Sequence, residues 1–209
     1  MPTLFLDCDG VLADFDAGAT AALGMPPREF ERRFGLGRFW SRLARTADFY
    51  ASLPELPDAR TLFNAVAHLE PVILTGCPRG GWAEAQKTAW AARRFPGTRI
   101  ITCMARDKRD HAAPGDILVD DTLKHRHLWE EIGGIFIHHR TAAETIAELK
   151  RRFPQLFEDR LAAGDDPLGH RLSGVGGDGE PDADERAGRR KNRRVDADHP
   201  SFRVEARSA

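Results

Sequence analysis

Cysteine is scarce. Cys8, Cys77 and Cys103 are the only three among 209 residues, an odd number too widely spaced for a disulfide framework. A reducing cytoplasm is the expected setting. Long apolar runs are missing too: nothing approaches the ~20 residues that a bilayer-spanning helix needs, so no membrane association is expected. The opening stretch Met1-Pro2-Thr3-Leu4-Phe5-Leu6-Asp7 lacks the basic segment of a secretory leader. Neither sign of charge prevails. The chain carries 31 Lys and Arg against 32 Asp and Glu, a net charge of -1, which argues against holding nucleic acid on a chain-wide basic surface by counterion release.

What the chain does have is an alternation of short β-rich runs with helical patterns. Runs at Thr3–Asp7, Pro71–Thr75, Arg99–Cys103, Asp116–Asp120 and Gly134–His138 are short, rich in β-branched residues and bounded by Gly or Pro. They read as strands of a parallel sheet buried on both faces. Asp58 is placed to N-cap a helix carrying Leu62, Phe63, Val66 and Leu69. Trp82–Ala92 and Leu123–Ile132 are further helices, and Thr141 with Glu144 has capping-box spacing ahead of Ile146, Leu149 and Phe153. The expected fold class is α/β, a Rossmann-like core with a parallel sheet flanked by helices. Its residues are 1–14 and 58–155.

Residues 15–57 interrupt the rhythm with three helical segments (Phe15–Leu23, Pro27–Phe34 and Phe39–Ala47) and no strand. They are expected to form a small helical insert over the carboxyl edge of the sheet, since a structureless connection of that length is unusual. Residues 165–209 hold few large apolar side chains and are expected to be disordered. The basic run Gly188–Arg194 within them reads as solvated.

The chemistry concentrates at the strand ends. In Asp7-Cys8-Asp9-Gly10-Val11-Leu12-Ala13-Asp14 the alternation of an extended chain lets Asp7 and Asp9 face one site. Asp120-Asp121 closes the fourth strand. If the first and fourth strands are neighbours, these carboxylates converge outside the carboxyl ends of the sheet, where open α/β sheets bind ligands. Such a cluster calls for a hard dication, and oxygen-only ligands favour Mg²⁺. Thr75 and Gly76, at the mouth of the next helix, form an anion site. Lys108, in Arg106-Asp107-Lys108, can reach the same crevice, and Arg106 either assists with phosphate or is surface charge. Lys108 is preferred over Lys87, which reads as a solvated residue of the Trp82 helix. His125, His127, His138 and His139 have no spacing that fits a zinc site.

This ordered set resembles the haloacid dehalogenase-type phosphohydrolases over residues 3–153: an Asp-x-Asp-Gly-Val strand end, a Thr-ended strand, a Lys, then a paired-Asp strand end. The resemblance implies that Asp7 is a nucleophile forming an aspartyl-phosphate and that Asp9 is the general acid and base. Thr75 would hold the phosphoryl group and Lys108 offset its charge. Asp121 would bind Mg²⁺ with Asp7 and the Asp9 carbonyl, with Asp120 orienting the metal's waters. Within that superfamily the strings around Asp9–Phe15, Phe39-Trp40, Asp48–Pro57 and Arg106–Lys108 are similar to the 5'(3')-deoxyribonucleotidases. There, residues matching Phe15, Phe39 and Trp40 line the base and sugar pocket. Gly76 departs from that family's Ser, and Cys77–Gly81 is a shorter loop. The implied substrate is a nucleotide or another small phosphorylated metabolite. A phosphotransferase using the same intermediate and a non-catalytic phosphate-binding module are the rival readings.

Overall fold

The computed structural model describes residues 1–162; the tail expected over 165–209 lies outside the described residues. Five parallel strands, β1 (Leu4–Leu6), β2 (Val72–Gly76), β3 (Ile100–Cys103), β4 (Ile117–Asp120) and β5 (Ile135–His138), form one sheet in the order β3-β2-β1-β4-β5. The expected α/β class and all five strands are present. Because successive strand side chains alternate, each strand feeds two cores. Leu4, Leu6, Ile73, Ile117, Val119 and Ile137 point to one face. There they meet Leu62 and Val66 of α4 (Ala59–Val66), Trp90 and Ala91 of α5 (Glu84–Arg94), and Leu149 of α7 (Ala142–Arg152). Phe5, Val72, Leu74, Leu118 and Phe136 point the other way, against Trp129 of α6 (Arg126–Glu131). The rings of Phe5 and Trp129 meet edge to face with centroids 5.6 Å apart.

Between β1 and α4 lie three helices: α1 (Phe15–Leu23), α2 (Pro27–Phe34) and α3 (Leu36–Ala44). The chain enters and leaves this insert through a short backbone stem. Asp14 N–H donates to the Pro54 carbonyl and Leu56 N–H to the Leu12 carbonyl, each at 2.9 Å. Side chains of α5 hold the exit segment in place. Trp90 Nε1 donates to the Leu53 carbonyl at 2.8 Å, and Gln86 Oε1 accepts from Tyr50 N–H at 2.9 Å. The insert is therefore seated beside the carboxyl end of β1, next to the helix that follows β2.

Three local features differ from expectation. Asp58 occupies the N-cap position of α4 but makes no capping bond; its Oδ2 instead accepts from Ala142 N–H at 2.6 Å, joining α4 to the start of α7. The cap on α7 does form, with Thr141 Oγ1 accepting from Glu144 N–H. The segment after β3 that carries Lys108 is a 3-10 helix over Ala105–His111. An eighth helix, α8 (Gln155–Ala162), follows α7, and its Leu156 packs into the larger core, one residue beyond the expected limit of 155.

Candidate active site

Register decides what meets at the centre of the sheet. Leu6 stands opposite Val119 on β4 and Ile73 on β2, so the next residues, Asp7 and Asp120, emerge side by side. Asp7 N–H donates to the Val119 carbonyl at 2.9 Å, carrying the pairing one step past β1. The chain then turns sharply, with the Cys8 carbonyl accepting from the N–H groups of Val11, Leu12 and Ala13. Gly10 makes this turn possible at φ +76, and a Cβ there would fall onto the Asp121 carboxyl. The residue type at position 10 thus follows from how closely the β4 end approaches the turn.

Three carboxylates converge. Asp7, Asp120 and Asp121 each place an oxygen such that all three lie within 4.8 Å of one another, a group that could hold a metal ion. Charge repulsion of that kind is met in part by Lys108. Its Nζ lies 2.9 Å from Asp7 Oδ1 and 2.6 Å from Asp120 Oδ2. The other oxygens are unevenly committed. Asp7 Oδ1 also accepts from Cys8 N–H and Asp120 Oδ1 from Thr122 N–H, each at 2.8 Å. Asp7 Oδ2 has no protein donor among the described residues. Burial and the neighbouring Asp7 and Asp120 charges push the Asp121 carboxyl up to about 7. Burial, then Asp7, raises Asp120 as well. Burial alone would lower Lys108, but Asp7 and Asp120 outweigh it and its ammonium is held above the ordinary range.

A second buried lysine corrects the sequence reading. Lys87 is not a solvated residue of its helix: it is 1% exposed. Its Nζ donates to Asp9 Oδ2 at 2.6 Å, to Thr75 Oγ1 at 2.9 Å and to the Gly76 carbonyl at 2.9 Å. The ammonium also stands 4.5 Å from the centre of the Tyr50 ring. Burial pulls Lys87 down, and Asp9 more than reverses it. Asp9 itself is raised by burial against the opposing pull of Lys87, and its Oδ1 is buried with no hydrogen-bond partner. Thr75 is fully buried beneath Lys87 and does not line the cavity. Helical spacing carried a signal for Lys87: Ala83, Lys87, Trp90 and Ala91 share one buried face.

Above these groups lies a cavity of about 1060 Å³. Asp7, Asp9, Gly76, Arg106, Lys108, Asp120 and Asp121 all line it. So do Phe15 and Trp40 of the insert, together with Tyr50, which the sequence did not single out. Phe39 is separate from them. It is buried in the insert's core, its ring edge to face with Trp40 at 4.9 Å, and it does not reach the cavity. The two candidate lysines are thus both present, one on each carboxylate of the first motif.

No protein-family model and no curated protein matches this chain. Among solved structures it is similar to a hydrolase from Streptococcus pneumoniae TIGR4, at 13% sequence identity and a TM-score of 0.45, over 73% of this chain and 97% of that one. No helix among the described residues is long and apolar enough to cross a membrane.

Proposed function

We propose that this chain is a Mg²⁺-dependent phosphomonoesterase of the haloacid dehalogenase type, working through an aspartyl-phosphate on Asp7. The observation that carries the reading is the placement of Asp7. One of its oxygens is tied to Lys108 and the Cys8 amide, the other is free, and Asp120 and Asp121 stand beside it. The free Oδ2 attacks phosphorus, the bond to the leaving oxygen breaks, and Asp9 gives that oxygen a proton. Asp9 then takes a proton from water; the hydroxyl oxygen bonds to phosphorus, the Asp7–phosphorus bond breaks, and phosphate leaves. A carboxyl raised by burial, with one oxygen fixed by Lys87 and one unpartnered, suits the acid step.

The donor set fits Mg²⁺: oxygen ligands only, clustered and mutually repelling. Asp120 already accepts from Lys108 and Thr122, which leaves Asp7 and Asp121 as the side chains to hold the ion directly. When bound, the ion would neutralise charge on the phosphoryl oxygens. Lys108 offsets the charge of Asp7 and Asp120, and Lys87 fixes Asp9 through bonds shared with Thr75 and Gly76. The residues of the sheet edge thus divide between holding charge and moving a proton.

Phe15 and Trp40 on the cavity lining favour a nucleotide among phosphate esters, because a base stacks on an aromatic ring for ~1–3 kcal/mol. A deoxyribonucleoside monophosphate is the narrower form of the proposal. Hydrolysis of a generic aryl phosphate by the purified protein, with and without Mg²⁺, tests the chemistry. Turnover that needs Mg²⁺ and disappears in Asp7→Asn supports it. Turnover undiminished in Asp7→Asn contradicts it.

A further inference from the structure

The catalytic centre leaves a set of cations unused. Arg79, Arg106, Arg109, Lys124, His125 and Arg140 line the same cavity, outside the pairs that Lys87 and Lys108 make. Four of them sit on two neighbouring pieces of chain: Arg106 and Arg109 on the 3-10 helix after β3, and Lys124 and His125 on the short turn Leu123–His125 after β4. Little answers their charge. Arg106 meets only its sequence neighbour Asp107, at 3.3 Å, with both side chains largely exposed. Arg109 reaches Glu131 at 3.3 Å and Asp110 at 3.9 Å, and Lys124 and Arg79 have no ion-pair partner among the described residues.

Acids on the lining outside the catalytic cluster are Asp14 and Asp16, both at the start of α1. Asp14 is already engaged, accepting from Ala17 N–H. The cationic groups are close enough to act on one another: partial burial, and then the charges of Lys124, His127, Lys108 and Arg106, lower His125. The acids paired with Arg106, Arg109 and Arg140 lie outside the lining, so an anion entering the cavity would relieve the repulsion among the cations there. The room is there as well. About 1060 Å³ is the size of a pocket for a whole drug-sized molecule, far beyond one phosphoryl group.

We propose that the substrate carries a second anionic group, a phosphate or a carboxylate, held by Arg106, Arg109 and Lys124 while its scissile phosphoryl faces Asp7. The inference rests on the phosphomonoesterase reading and names the substrate class for it. Arginine presents a planar fork that matches either group bidentately, and lysine adds a point charge. The group comes from one of two sources: a nucleoside bisphosphate, whose base meets the aromatic wall, or a phosphorylated carboxylic acid.

Two matched pairs of esters separate these sources: deoxyadenosine 5'-monophosphate against the 3',5'-bisphosphate, and ethyl phosphate against 2-phosphoglycolate. In at least one pair, kcat/KM is expected to be about tenfold or more higher for the member with the second anion, as one charge-assisted hydrogen-bond pair supplies. That ratio should fall about tenfold in the double variant Arg106→Ala, Lys124→Ala, mainly through KM, and should shrink with added salt. Both side chains are exposed, so the variant folds; Arg109→Gln gives an independent second reading. Equal hydrolysis within both pairs, or a ratio that neither variant moves, overturns the second-anion site and leaves the phosphatase reading standing. No hydrolysis of any of the four by the unaltered protein overturns the phosphatase reading itself.

Discussion

Lys87 reaches from the first half of α5 to Asp9, three residues beyond β1, and closes to 2.6 Å of its carboxylate. The lysine is all but inaccessible and the carboxylate half-buried. Removing one partner of such a pair leaves the other charge without compensation, at a cost of about 3 kcal/mol or more. Lys87→Met should therefore lower the melting temperature and reduce kcat for an aryl phosphate together. The double variant Lys87→Met, Asp9→Asn should recover much of the stability and none of the turnover. Thermal denaturation and steady-state rates on the three proteins check this.

The raised Asp121 carboxyl should make metal-free stability fall with rising pH. Its folded value of about 7 lies above the ordinary carboxylate value of 3.8, so between these limits the folded chain binds more protons than the unfolded one. This contribution is complete at low pH and is lost as pH climbs toward and through 7. Under the proposed metal site Mg²⁺ would reverse the trend, since a cation binds the ionised form. In metal-free buffer the melting temperature should decline from pH 5.5 to pH 8, and Mg²⁺ should raise it more at pH 8 than at pH 5.5. Asp121→Asn should flatten both dependences.

Gly10 is a steric partner of Asp121 as well as a turn residue. In Gly10→Ala the left-handed backbone costs about 1–2 kcal/mol, and the new Cβ displaces the Asp121 carboxyl. Mg²⁺ affinity, read by titration calorimetry, should drop further than stability alone would require. An affinity equal to that of the unaltered protein would mean that Asp121 is not a ligand.

Phe39 and Trp40 are adjacent in sequence and should behave differently. Phe39 is buried in the insert's core, so Phe39→Ala should cost about 3–5 kcal/mol of stability. Trp40 lines the cavity, so Trp40→Ala should raise KM for a deoxyribonucleoside monophosphate with kcat little changed. Chemical denaturation and substrate titration separate the two effects.

Strand positions and the alternation with helices were legible because parallel strands buried on both faces are written as short, continuous apolar runs. The meeting of Asp7 with Asp120 and Asp121 was legible once β1 and β4 were taken as neighbours, a relation their register then makes exact. Lys87 was not, because a lysine among helix formers such as Glu84, Ala85 and Gln86 looks solvated. Only its spacing from Ala83 and Trp90 places it on the buried side. Phe39 and Trp40 could not be told apart, since a Phe-Trp pair gives no phase until the start of α3 is known to be Leu36. Asp58 sat at the right position for a cap but found a stronger claim on its carboxylate in the backbone of Ala142.

The most direct test follows the phosphorus atom. The protein is mixed with a ³²P-labelled substrate ester and Mg²⁺, quenched in acid within milliseconds, and the denatured chain is counted and digested. The expected result is label on the peptide that contains Asp7, released by hydroxylamine as an acyl phosphate and missing in Asp7→Asn. Rapid release of labelled phosphate with no label on the chain at any quench time would contradict a covalent role for Asp7.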